Sequence, residues 1–216
     1  QAPRPAVGKI FVSHDEWPLT NRSFIVAPTS SRLAINVACW FTGGKPGNFL
    51  VYSANAGLTE SMLAETMTAA GHSWAVGFVD FTLENLLQYD AIFLAGVGAD
   101  NAMLIDYVQA GGNVYLAGGT AVGCDANTWN TFLNAFGLAF GPCFNPLRGV
   151  QPVDSDHPVL EGVESFFQDL GNNVIDLDPT DQRSAVIAFA GSNGLFGVYD
   201  ETSGATSDMV VDAGDH

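Results

Sequence analysis

Residues 89–120, YDAIFLAGVGADNAMLIDYVQAGGNVYLAGGT, constrain the fold more than any other stretch of this chain. Two apolar runs, AIFLAG (91–96) and NVYLAG (113–118), each end in a glycine turn. Between them, residues 101–110 carry apolar side chains at helical spacing. Strands joined through a helix run parallel, because the crossover carries the chain back to the starting end of the sheet. The stretch therefore predicts a βαβ unit, and a parallel sheet around it.

The flanking sequence repeats the alternation. IFVS (10–13) reads as a buried strand running into His14-Asp15-Glu16-Trp17, followed by a loop with Pro18 and Pro28. Ser30 or Ser31 caps a helix bearing Leu33, Val37, Trp40 and Phe41, stopped by Gly43-Gly44. NFLVYS (48–53) is the next strand, Thr59 caps a helix through Ala70, and 74–79 is a strand. A short helix over 82–88 precedes the central unit, and a helix over 125–136 follows it. From about 138 the pattern changes to short strand candidates at 139–144, 173–177, 185–190, 195–199 and 208–212. The expected class is α/β: a mostly parallel sheet with helices on both faces, and a hairpin-rich antiparallel extension in the C-terminal third. No Gly/Ser-rich or Pro-rich linker divides residues 1–216, so one domain is expected.

Composition narrows the partners. Seven Lys and Arg face 23 Asp and Glu, a formal net charge of −16. Such a field repels phosphate backbones and anionic lipid, which disfavours nucleic-acid and membrane-surface binding. No run of 18 apolar residues is present to cross a bilayer. The opening QAPRPAVGK has the form left by signal cleavage, and Lys9 and Lys45 are the only lysines, so an extracellular or cell-surface protein is expected. Cys124 and Cys143 bracket the 125–136 helix and its following loop, at a spacing open to a disulfide in an oxidising compartment or to reduced structural thiols. Cys39 reads as a small buried hydrophobe, and no Cys/His spacing suits a metal.

The strand NFLVYSAN, the helix ending AAGH, YDAIFLAG, LIDYVQAGGNVYLAGG and the turn DHPVLEGV (156–163) resemble the class I glutamine-amidotransferase-like superfamily of flavodoxin-type α/β folds. The likeness covers roughly residues 48–200 and is to its extracytoplasmic, non-amidotransferase branch. In that branch a segment shaped like residues 8–44 tends to close the domain, whereas here it opens the chain. The resemblance thus implies a circular permutation, with an added N-terminal strand as the alternative. A permutation would bring Gln1 and His216 to one sheet edge, open to pairing with another copy.

Catalytic members mount a cysteine on the turn matching Leu116–Thr120, where this chain has none. The resemblance therefore implies a pseudoenzyme: a binding or self-assembly domain with no cofactor. In such a sheet the crevice lies beyond the carboxyl ends of the strands. Its candidate ligand-binding residues are His14, Asp15, Glu16, Trp17, Asn55, Gly96, Gly98, Asp100, Gly118, Gly119 and Thr120. An aromatic beside carboxylates suits a saccharide or other small ligand, and bare turn N–H groups suit an anion or carbonyl. The alternative is a hydrolase using Cys124 with His157, or the His14/Asp15/Glu16 cluster. The acidic stretches 154–156, 176–178 and 212–215 offer oxygens to Ca²⁺ without EF-hand spacing, and Asn21-Arg22-Ser23 is a glycosylation sequon.

Overall fold

The computed structural model describes residues 7–120 and 125–203, apart from the side chain of Cys143. Five parallel strands form the centre: β1 (Ile10–Ser13), β2 (Asn48–Val51), β3 (Ser73–Val76), β4 (Ala91–Ala95) and β5 (Asn113–Ala117). The C-terminal third adds β6 (Leu138–Phe144), β7 (Arg148–Pro152), β8 (Ser165–Asp169), β9 (Asn172–Asp176), β10 (Ser184–Ala190) and β11 (Asn193–Tyr199). The seven-stranded sheet has the order β10-β11-β1-β5-β4-β2-β3, with β11 antiparallel to both β10 and β1. The pairs β6–β9 and β7–β8 are separate two-stranded antiparallel ribbons. The α/β class and the antiparallel extension are as the sequence pattern predicts.

Helices cover both faces. On one lie α1 (Asn21–Val26), α2 (Ser30–Thr42), the one-turn α3 (Ala56–Thr59) and α4 (Ser61–Ala69). On the other lie α5 (Leu83–Leu86), α6 (Asn101–Gln109) and α7 (Asp125–Asn134). Strands buried on both faces explain the continuous apolar runs: Ile10 and Val12 enter the α6–α7 core, while Phe11 enters the α2–α4 core. That second core is an aromatic ladder across the strands. Phe196 packs on Phe11 at 5.5 Å, Phe11 stacks on Tyr115 at 5.6 Å, and Tyr115 stacks on Phe93 at 5.0 Å. Phe93 then meets Trp74 and Phe49 at 4.8 and 5.7 Å.

Several local expectations are corrected. Residues 21–26 form α1 where a loop is expected, because Thr20 accepts the Ser23 N–H as N-cap and Phe24 reaches the core. Thr59 ends α3 rather than starting a helix, since Asn55 caps that turn and the chain restarts at Ser61. Thr29, not Ser30 or Ser31, holds the cap position of α2, and its hydroxyl instead accepts the N–H groups of Glu164 and Ser165. Cys39 is half-buried, and β7 and β8 lie where no strand is expected. β1 is an interior strand, paired with β5 and β11, so the opening strand offers no free edge to another copy. Residues 1, 208–212 and 216 lie outside the described residues, as does Cys124; the proposed Cys124–Cys143 disulfide falls there with them.

Candidate functional site

The carboxyl ends of β1, β2, β4 and β5 meet at one end of the sheet, and the turns leaving them carry most of the candidate residues. β1 stops at Ser13; the His14 N–H still bonds the Leu195 carbonyl at 2.8 Å, and Glu16, with helical backbone angles, opens the single turn Trp17–Leu19. His14 and Asp15 have no exposed surface. The His14 ring lies between the Leu195 carbonyl, 3.1 Å from Nδ1, and the Gln168 side chain, 2.7 Å from Nε2. Phe166 and Phe196 pack edge-on against it. Burial lowers its pKa to about 4, so the ring is neutral at physiological pH. It is a core residue that ties β1 to β8 and β11.

Asp15 lies beneath the β5 turn. Its Oδ2 accepts the Asp169 N–H at 2.6 Å, while its buried Oδ1 has no hydrogen-bond partner. Burial raises this carboxyl to about 8, against the pull of the surrounding backbone N–H groups, and the neighbouring Glu16 adds to the rise. Two glycines make this burial possible. A Cβ on Gly119, whose φ is +71°, would stand 2.5 Å from Asp15 Oδ1. One on Gly171 would stand 2.4 Å from the His14 ring. The turn bearing Gly171 joins β8 to β9, and its Leu170 adopts a left-handed φ of 63°, which side chains other than glycine rarely take.

Glu16 and Trp17 are half-exposed and face outward. The Glu16 carboxylate accepts a hydrogen bond from Asn55 Nδ2, and Asn55 Oδ1 in turn caps α3 by accepting the Gly57 N–H at 2.7 Å. Burial and the nearby Asp125 carboxylate both raise the Glu16 pKa. Asp125 opens α7 and is held by the Thr120 hydroxyl at 3.0 Å and the Thr120 N–H at 3.2 Å; burial raises its pKa too. None of the ion pairs among the described residues includes Glu16 or Asp125. Trp17 stands edge-on to Phe167 at 5.5 Å, with the Arg22 guanidinium 4.4 Å from the Phe167 centroid.

The other candidates separate. Gly96 sits beside Asn55, where a Cβ would come within 2.9 Å of Nδ2. Gly98 is exposed, and Asp100 is spent as the N-cap of α6, accepting from Ala102 and Met103 N–H at 2.9 and 3.2 Å. The β5 turn does not present bare main chain. Gly118, Gly119 and Thr120 are buried. Their N–H groups go to the Ser13 carbonyl at 2.9 Å, Asn172 Oδ1 at 2.9 Å and Asp125 Oδ2 at 3.2 Å. His157 is far from this end. Its Nδ1 caps the turn Pro158–Leu160 and its ring meets Trp40, whose own ring lies under Lys9 at the amino end of β1. Cys124, the other half of that candidate pair, lies outside the described residues.

Asp125, Gln168 and Asn172 are site residues that sequence reasoning passed over. Asp125 left one signal, an acid in the first turn of a helix after a glycine turn. Among the described residues no three His, Cys, Asp or Glu side chains are grouped to hold a metal ion. Asp176 and Asp178 accept backbone N–H groups within their own turn. The sequon Asn21 is used internally: its Oδ1 accepts the Met62 N–H, and Ser23 is buried. No described helix is long and apolar enough to cross a membrane. Comparison with protein-family models, curated proteins and solved structures finds no match to this chain.

Proposed function

We propose that this chain is a binding domain on an amidotransferase-like scaffold, and that its crevice takes a small hydroxyl-rich ligand of saccharide type. One observation carries the non-catalytic part of this reading. All three N–H groups of the Gly118–Thr120 turn are consumed inside the protein, so none is left to stabilise an oxyanion. The saccharide part is supported by Glu16, an acceptor with no basic partner among the described residues, fixed by Asn55 and flanked by the half-exposed Trp17. Carboxylate and amide groups exchange hydrogen bonds with hydroxyls, and an indole face covers the apolar side of a sugar ring. The acidic surface supports an extracellular setting.

Titration calorimetry against a panel of mono- and oligosaccharides, with Trp17 fluorescence as a second readout, tests this. Binding that falls at least roughly tenfold in Glu16→Gln and in Trp17→Ala is expected, the loss of one good contact each. Silence across the panel, or preference for simple ammonium compounds, overturns the saccharide assignment. Turnover of an amide or ester by the wild-type chain overturns the binding-domain reading.

A further inference from the structure

A second concave site lies at the β10 edge of the sheet, where β9 crosses the β10–β11 hairpin. The backbone of Val174 lies so close to Gly194 that a Cβ there would stand 2.1 Å from the Val174 carbonyl oxygen. Beside this crossing is a depression of about 550 Å³, lined by Val174, Ile175, Pro179, Val186 and Phe189. That volume suits a small ligand of drug-like size. Two of its large apolar side chains are uncovered: Ile175 is 40% exposed and Phe189 55%. Asp176 is the one charged group on its wall, and no ion pair among the described residues engages it.

The geometry points to a site for a hydrophobic organic cation, an aryl- or alkyl-ammonium whose apolar body lies against Val186 and Phe189 and whose head meets Asp176. Charge complementarity selects this occupant. A fatty acid or other anionic amphiphile would bring its carboxylate to Asp176 on a chain of net charge −16. A second copy of the chain would bring the same charge again. A neutral apolar molecule would fill the walls and leave the carboxylate unused. The site shares no residue with the crevice at the carboxyl ends of the parallel strands, so it stands or falls independently of the saccharide proposal.

The test uses three probes of one shape, 4-phenylbutylamine, 4-phenylbutanol and 4-phenylbutyrate, titrated by NMR into the full chain. The amine is expected to bind at least roughly tenfold more tightly than the alcohol, with butyrate weakest. Asp176→Asn should bring amine and alcohol to within about twofold of each other. Phe189→Ser, at an exposed position that folding tolerates, should weaken both at least about fivefold. Equal binding of amine and butyrate overturns the proposal, as does an amine affinity indifferent to Phe189→Ser. Concentration-dependent growth in mass that Phe189→Ser abolishes would also overturn it, by making this face a contact between copies.

Discussion

Replacing Asp15 with asparagine should remove a pH dependence that the fold cannot otherwise avoid. The Asp15 carboxyl titrates at about 8 in the folded chain and at its ordinary value of 3.8 when unfolded. Between those values the folded state holds one proton more than the unfolded state, so stability falls as pH rises. The slope is about 1.4 kcal/mol per pH unit. His14 acts with the opposite sign. Its folded pKa of about 4 lies below its ordinary value of 6.5, so it adds stability as pH climbs through that interval and nothing beyond it. The two effects oppose each other below pH 6.5. Above it Asp15 acts without His14, and the expected loss between pH 6.5 and 8 is about 2 kcal/mol. Glu16 and the buried Tyr115 hydroxyl face the same carboxyl and are unchanged in the variant. The substituted amide keeps an oxygen for the Asp169 N–H and has no proton to lose. Urea denaturation at half-unit steps over that window, followed by tryptophan fluorescence, reads the difference. The wild-type chain should lose about 2 kcal/mol relative to Asp15→Asn. Parallel curves for the two proteins would refute the assignment of a protonated, buried Asp15.

Other perturbations separate structural roles from binding ones. Gly119→Ala forces a Cβ to within 2.5 Å of Asp15 Oδ1 at a left-handed φ, and should lower the melting temperature by roughly 5 °C or more, as a loss of about 2 kcal/mol implies. Asp100→Ala removes the α6 cap at a cost of about 1 kcal/mol in chemical denaturation, and should leave saccharide titrations of the crevice unchanged. Trp129→Ala empties a fully buried site in the α6–α7 core and should cost about 3–5 kcal/mol by the same denaturation assay. His157→Gln alters only the cap and the Trp40 contact at the amino end of β1, so saccharide affinity should stay within about twofold of wild type.

The parallel core was legible because its central strands β1, β4 and β5 are buried on both faces and its helices on one. AIFLA and NVYLA are continuous apolar runs, and the segment between them has helical period, so local chemistry and final environment agree. β7 and β8 were not legible. RGVQP contains a glycine and a proline, which local propensity assigns to a turn, and the strand exists because SFFQD pairs with it across the intervening loop. α1 is too short to display a period, and its stability comes from the Thr20 cap and the burial of Phe24.

The same division runs through the site. Sequence alone places His14, Asp15, Glu16, Asn55 and the glycine turns at the ends of parallel strands, because chain direction in a βαβ unit fixes which end they occupy. It does not reveal which of them face outward. That was decided by the end of β8 and its turn into β9, where Gln168 and Asp169 stand 154 residues along the chain from His14 and Asp15. This segment folds over the pair and covers it with Gln168, Asp169 and Gly171. A strand's pattern encodes its own two faces. What closes over its end depends on a distant segment, whose arrival leaves no periodic trace in either stretch of sequence.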